Sequence, residues 1–342
     1  MKLMKNKCLP VLILIVLISL GSCKNVDDGI IVVPERDRTE QQAEDRDSLL
    51  AYLGSHYYNS GDFVSNPNPS MFDLEITELP EGEMLPDGTT LLIDAVETKE
   101  TVFLETDYEY YILRLNQGGG EDMPNFSDNI RINFAGNTLD GNVFDSSVNS
   151  VVFDLIDLIP GWGRVLPEFN TAGDFTLNMD GTVNFNDVGA GAMFLPSGLA
   201  FFSGSAPGII SYSNLVFKFD LYQTEVNDHD GDGIPSYFED VDNSLALFDD
   251  DTDDNTLPDY VDGNDDGDNI LTINELEHLE YIVDTNMGEE EPVLAEGEFE
   301  RSRSEEDGII TIKTVKIVDS NGDGLADYLD DSIEVDNNPD DN

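Results

Sequence analysis

Cysteine is almost absent from this 342-residue chain: there are two, Cys8 and Cys23, both close to the N-terminus. No intrachain disulfide framework can brace the folded part, so a packed core, a metal or both must do so. Basic residues are scarce too. Lys plus Arg number 16 against 72 Asp plus Glu, a formal charge of −56. Such a field repels phosphate backbones and excludes nucleic acid as a partner; it suits cations or a solvated acidic tail. The three histidines, His56, His229 and His278, are scattered and lack a nucleophile at any recognisable spacing, which leaves no triad. His229, inside an acidic stretch, reads as a spacer. Tryptophan occurs once, as Trp162. An apolar run, Val11 to Leu20 with only Ser19 polar, is shorter than the ~20 residues a spanning helix needs.

That run has a context. Lys2, Lys5 and Lys7 precede it, and Leu20-Gly21-Ser22-Cys23 follows. The arrangement resembles a bacterial lipobox. The resemblance implies a signal peptide over 1–22, cleavage before Cys23, and acylation of the Cys23 thiol as a membrane anchor. The alternative is an uncleaved anchor helix. Either places the domain outside the cytoplasm; the lipid anchor implies the cell envelope, at the outer membrane and periplasmic or surface-exposed. Asp27 and Asp28 resemble the acidic export tags of some Bacteroidetes lipoproteins.

Residues 24–38 are polar and read as a tether. Thr39 and Gln42 fit a capping box, and Leu49, Leu50, Leu53 and Tyr57 follow at helical spacing, so a helix is expected over 40–53. Residues 60–100 mix turns with short strands. Tyr108 to Leu115 reads as a strand broken by Gly118-Gly119-Gly120. Ile130, Ile132 and Phe134 alternate with polar residues, as do Leu215, Phe217, Phe219 and Leu221. Pro160 can start a short helix over 160–169. The expected class is α+β: an antiparallel sheet wrapped on one short helix. After Val226, Asp, Asn and Gly dominate, interrupted by a strand-like stretch from Ile309 to Val318; Ser302 to Asp307 reads as exposed.

Seven short blocks then occur in order. Ile132-Asn133-Phe134-Ala135-Gly136 leads to Leu139-Asp140-Gly141 and to Val143-Phe144-Asp145-Ser146-Ser147. Leu158-Ile159-Pro160-Gly161-Trp162 follows, and Leu199-Ala200-Phe201, Pro207-Gly208-Ile209-Ile210 and Asn214-Leu215-Val216-Phe217 close the set. Over residues 105–225 this resembles FKBP-type peptidyl-prolyl isomerases. The resemblance implies that Trp162 floors a pocket walled by Phe134, Phe144, Leu158, Ile159, Ile209, Ile210 and Phe217. It implies that Asp145 is the buried acid beside the twisting carbonyl, and that the Ile159 N–H holds a substrate carbonyl. Phe201 and Phe134 stand where the family has tyrosines, which removes a hydroxyl bond worth about 1 kcal/mol and points to reduced activity. Val151 and Phe153 are the candidate equivalents of a shortened aromatic stretch, and residues 174–191 look inserted. The chemistry needs no cofactor. An X-Pro amide rotates over a barrier of about 20 kcal/mol, and an apolar, water-poor cleft favours the less dipolar twisted form. Read singly, each aromatic could be plain core and Asp145 a turn residue.

The acidic stretch carries four calcium-type loops, in which oxygen ligands alternate around a tight turn and an acid closes the shell at position twelve. Asp228, Asp230, Asp232, Gly233, Ser236 and Glu239 form the first. Asp251, Asp253, Asn255, Asp259 and Asp262 form the second, with Thr256 at the turn. Asn264, Asp266, Asp268, Thr272 and Glu275 form the third, with Asn269 at the turn. Asp319, Asn321, Asp323, Gly324, Asp327 and Asp330 form the fourth. The first and last are the most complete. The spacing resembles thrombospondin type 3 repeats and implies structural calcium; the alternative is a disordered acidic tail.

The expected organisation is a signal peptide (1–22), a tether with a helix and short strands (23–104), the isomerase-like domain (105–226) and an acidic calcium-binding repeat region (227–342). The expected function is proline isomerisation on X-Pro segments of exported proteins. A non-catalytic Pro-peptide chaperone and a calcium-stiffened surface protein are the alternatives.

Overall fold

Strand Thr106–Asn116 is buried on both sides, and that sets the architecture. Side chains alternate across a strand, so Tyr110 and Ile112 enter one apolar cluster while Tyr111 and Leu113 enter another. The computed structural model describes residues 34–338. Cys8, Cys23, the signal segment and residues 24–33 of the tether lie outside them.

Six antiparallel strands form the main sheet. Their order is Glu97–Phe103, Thr106–Asn116, Gly189–Leu195, Leu215–Glu225, Asn129–Thr138 and Val143–Asp154. The expected boundary between 104 and 105 cuts this sheet, because Glu97–Phe103 pairs with Thr106–Asn116 from Phe103↔Thr106 onward. One face carries the short helix Pro160–Val165 with Trp162, Val165, Leu166 and Phe169 over Met193, Leu215, Phe217 and Phe219. The other is covered by helix Arg38–Ser55, whose Leu49, Tyr52 and Leu53 meet Phe194 and Val216. The fold is α+β, an antiparallel sheet with few helices, as the alternating patterns require.

Helix Arg38–Ser55 starts earlier than the capping-box reading. Asp37 is the cap, accepting from the Glu40 N–H at 3.0 Å. Its buried Asp45 accepts from the Ser197 N–H (2.8 Å) and hydroxyl (2.6 Å), which pins the helix to the turn after strand Gly189–Leu195. Residues 60–100 also pack on the sheet. Asp220 accepts from the Ser70 hydroxyl (2.6 Å) and the Met71 N–H (2.7 Å). Residues 174–191, expected to be an insertion, form a hairpin, Asp174–Leu177 with Val183–Asn186, and then run into strand Gly189–Leu195.

The acidic region holds a three-stranded sheet with Ile309–Lys316 between Glu277–Asp284 and Glu298–Glu306. Residues 302–307 are exposed, as expected. Ile234, Leu276, Val315 and Tyr328 make a small core under the acidic loops. Residues from Arg36 onward form one compact unit. Among the described residues no helix is long and apolar enough to cross a membrane.

Candidate functional site

Pro160 sets the first turn of the short helix, and Ile159 before it is extended (φ −63°, ψ 148°). Gly161 lets the helix lie directly on Leu195, where a β-carbon would collide. Trp162 is thereby placed over the sheet. Its ring centroid lies 5.0 Å from Phe217, 6.1 Å from Phe219 and 6.2 Å edge-on from Phe134. Phe144, half-buried, packs edge-on against Phe217 at 5.5 Å. Gly136 makes that pair possible: a β-carbon there would stand 2.6 Å from both rings. Phe153 joins the set at 5.6 Å from Phe134. Leu158, Ile159 and Val151 are half-buried at the edge of the same cluster, and Ile209 is buried in it.

Three expected members lie elsewhere in character. Asp145 is exposed rather than buried, its Oδ1 accepting the next residue's N–H at 2.8 Å. Strand Val143–Asp154 is a sheet edge there, so nothing covers the carboxylate. Ile210 is 78% exposed, and Phe201 37%; the buried neighbour Phe202 packs on Tyr212 at 5.2 Å instead. The indole itself is only 3% exposed. At that burial the ring is not open to a proline as it stands. Phe219 and Gly136 were missed as pocket residues. Gly136 stood in the motif, and its packing role needed the Phe144–Phe217 pairing to be visible.

The acidic region brings carboxylates together in three sets, each with its oxygens within 4.8 Å of one another: Asp230, Asp232, Glu239 and Asp265; Asp240, Asp242 and Asp250; Asp266, Asp268 and Glu275. In the first, Glu239 and Asp265 are each 1% exposed. Both Glu239 oxygens, Asp265 Oδ1, Asp230 Oδ2 and Asp232 Oδ2 are buried without a hydrogen-bond partner. Burial and then mutual repulsion push Glu239 up to about 11, Asp265 to about 10 and Asp232 to about 8. Buried polar atoms are ordinarily paired. An all-oxygen set of this kind fits a hard divalent cation, calcium by ligand chemistry. The third set fits in the same way: Asp266 Oδ2, Asp268 Oδ2, both Glu275 oxygens and Asn264 Oδ1 are unpartnered, and Glu275 is pushed up to about 9 by burial first.

Other expected ligands are not gathered. Asp228 pairs with Arg301 at 2.7 Å and accepts the Gly231 and Gly233 N–H groups. The Ser236 hydroxyl lies 2.7 Å from His229 Nδ1. His229 is no spacer: its Nε2 meets Asp154 at 2.8 Å and ties the acidic region to the main sheet. In the second loop, Asp251, Asp253, Asp259 and Asp262 are taken up by Asn255, Thr252 and Thr256 of the same loop and by Asn264 at the start of the next. Thr272 bonds Asp265. The fourth loop closes on itself. Asp319 accepts from Gly322 and Gly324, Asn321 donates to Asp323 and Asp330, and Asp327 accepts from Ser320. These are loop-internal turns without a converged carboxylate set among the described residues. Asp265 was missed because alternation within one loop does not reveal a ligand supplied by the next. Asp240 and Asp242 did carry the alternating signal, immediately after Glu239.

The BamM C-terminal family matches residues 229–296. Two solved structures are similar: a peptidyl-prolyl cis-trans isomerase of Pseudomonas syringae pv. tomato and FkpA of Escherichia coli. The first is 16% identical, over 56% of this chain and 99% of that one, with a TM-score of 0.30. The second is 19% identical, over 54% and 62%, with a TM-score of 0.32. Among curated proteins, the FKBP-type 22 kDa peptidyl-prolyl cis-trans isomerase of Escherichia coli is 26% identical over 143 residues, 41% of this chain. The chain spans 61% of that relative's length. Over the aligned stretch, then, it is similar to an FKBP-type peptidyl-prolyl isomerase.

Proposed function

We propose that this chain is an FKBP-type proline isomerase, held at the bacterial envelope by a lipid on Cys23, which assists the folding of exported proteins. The observation that carries the reading is the packing of the sole tryptophan. Trp162 sits on a short helix, ringed by Phe134, Phe217 and Phe219, with Phe144 half-buried beside them. A proline ring that displaces Phe144 meets aromatic walls and little water. Such a surrounding favours the twisted imide over the planar one, because the twisted form carries the smaller dipole. No nucleophile or cofactor takes part. Structural calcium at Asp230, Asp232, Glu239 and Asp265, and at Asp266, Asp268 and Glu275, belongs to the same reading; it would neutralise buried carboxylates and stiffen the acidic region.

The test is the isomerisation rate of an X-Pro peptide with and without the chain, beside Trp162→Ala and Asp145→Ala. The expected outcome is an accelerated rate that Trp162→Ala largely removes. Equal rates with and without protein overturn the enzyme. A second reading, peptide capture without turnover, is favoured by the exposed Asp145 and the surface position of Phe201. It predicts saturable peptide binding with no acceleration. A third, a calcium-stiffened surface protein, draws on the acidic sets alone and predicts neither.

A further inference from the structure

The segment after Glu239 makes a loop of its own. The Asp240 carboxylate accepts the Ser244 and Leu245 N–H groups, both at 2.9 Å, and Asp242 accepts from Ser244 as well. Asp250 Oδ1 reaches back to the Val241 and Asp242 N–H groups at 3.1 and 3.3 Å. Asp250 is 7% exposed, and its Oδ2 is buried with no partner, beside the Asp240 and Asp242 carboxylates. The Ser244 hydroxyl is buried and unpartnered too. Three carboxylates repel one another at this range, and an orphaned buried oxygen costs free energy. A hard cation removes both penalties.

The tip of this loop, Leu245 to Phe248, is apolar in an acidic region. With Phe103, Phe126, Leu155, Ile156, Leu158, Pro160, Gly163 and Arg164 it lines a hollow of about 120 Å³. Leu247 is 2% exposed. Phe248 packs edge-on against Tyr260 at 5.7 Å, and Tyr260 against His229 at 5.4 Å, the residue bound to Asp154. Arg164 is buried, with Nε and Nη2 unpartnered; burial holds its guanidinium below the ordinary value, and Tyr110 and then Asp240 offset part of that. Pro160 and Arg164 flank Trp162 on one short helix.

We propose that Asp240, Asp242 and Asp250 form a divalent-cation site of the calcium class, and that filling it seats the Leu245–Phe248 tip on the Leu155–Arg164 segment, so that cation occupancy is transmitted to the helix that carries Trp162. The ligands are all oxygen, which selects calcium over softer metals. The loop and the helix share the hollow, so a tip that loosens withdraws packing from Pro160 and Arg164. Only the position of Trp162 is used here; isomerase activity is not required, and the two proposals can fail separately.

Chelator-stripped full-length protein is titrated with calcium chloride, with heat and Trp162 emission recorded together. Wild type is expected to show a saturable emission change. Asp242→Asn, at an exposed position, should weaken one calcium site by on the order of tenfold and shift the emission change to correspondingly higher calcium. Leu247→Ala should keep the calcium stoichiometry and lose the emission change. Phe248→Ala, at a 66% exposed ring, repeats that arm if Leu247→Ala does not fold. The proposal is overturned by calcium binding without an emission change in wild type, by an Asp242→Asn titration that overlays wild type, or by tip variants that keep the full response.

Discussion

At the scale of single residues, burial decides which substitutions report on function. Asp145 is exposed and makes only a local turn bond. Its removal should change stability by less than about 0.5 kcal/mol, so a slower rate in Asp145→Ala reads on the pocket and not on unfolding. Trp162→Ala lacks that advantage, since deleting a buried indole costs roughly 3–5 kcal/mol. Phe144→Ala is the cleaner probe of access. Its ring is half-buried on Phe217, so the cost should be on the order of 1–3 kcal/mol. Acrylamide quenching of Trp162 should rise, and an unchanged quenching constant would show that Phe144 does not cover the indole. Asp220 offers a test of pH dependence. Burial pushes it up to about 6, against an ordinary carboxylate value near ~4 in the unfolded chain. Below pH ~4 both states hold the proton and its stabilisation is fully present. Between there and about 6 the unfolded chain releases the proton first, so the contribution falls as pH rises, by up to roughly 3 kcal/mol. Asp220→Asn keeps the acceptor for Ser70 and Met71 and removes the titration. The variant should gain on wild type in Tm between pH 4.5 and 7.5; parallel curves would refute this.

At the scale of elements, Gly136 ties sequence to pocket. Gly136→Ala places a methyl 2.6 Å from Phe144 and Phe217. Overpacking of that kind costs about 1–3 kcal/mol, and the ring pair must separate. Thermal unfolding should show the loss, and an unshifted Tm would mean that the rings are free to move. Strand Asn129–Thr138 and strand Leu215–Glu225 were legible because their apolar residues alternate over a buried face. The helix at Pro160 was legible from its proline. Strands Glu277–Asp284 and Glu298–Glu306 were not, because they are largely solvent-facing and the central strand Ile309–Lys316 supplies most of the apolar pattern. The start of helix Arg38–Ser55 was misplaced because Asp37, Thr39 and Gln42 compete as capping residues within one turn, and packing of Asp45 on Ser197 fixes the phase. In the acidic region the ligand types were legible and the partnerships were not. Asp265 reaches its site from another loop, and Asp250 closes its set across an apolar tip.

At the scale of the whole molecule, 16 basic residues face 72 acidic ones. Two different remedies could hold such a chain together, and they are separable. Screening by mobile ions acts on exposed charges, with a Debye length of about 3 Å at 1 M salt. Coordination would act on buried oxygens that water and salt do not reach, such as those of Glu239, Asp265 and Glu275. Each site filled at about tenfold over its Kd adds roughly 1.4 kcal/mol, and three sites together make a sizeable part of the 5–15 kcal/mol typical of a domain. Calcium removal should therefore lower Tm, and 1 M sodium chloride should restore only a minor share of the loss. The loss should also be local. Ile234, Leu276, Val315 and Tyr328 form a small core directly under the carboxylate sets, whereas Met193, Leu215 and Phe219 belong to the six-stranded sheet. Hydrogen exchange with and without chelator should show protection falling over the first group while the second keeps its own. Protection that falls equally in both, or full rescue by sodium chloride, would mean that the buried carboxylates are stabilised by screening alone and that no ion is held between them.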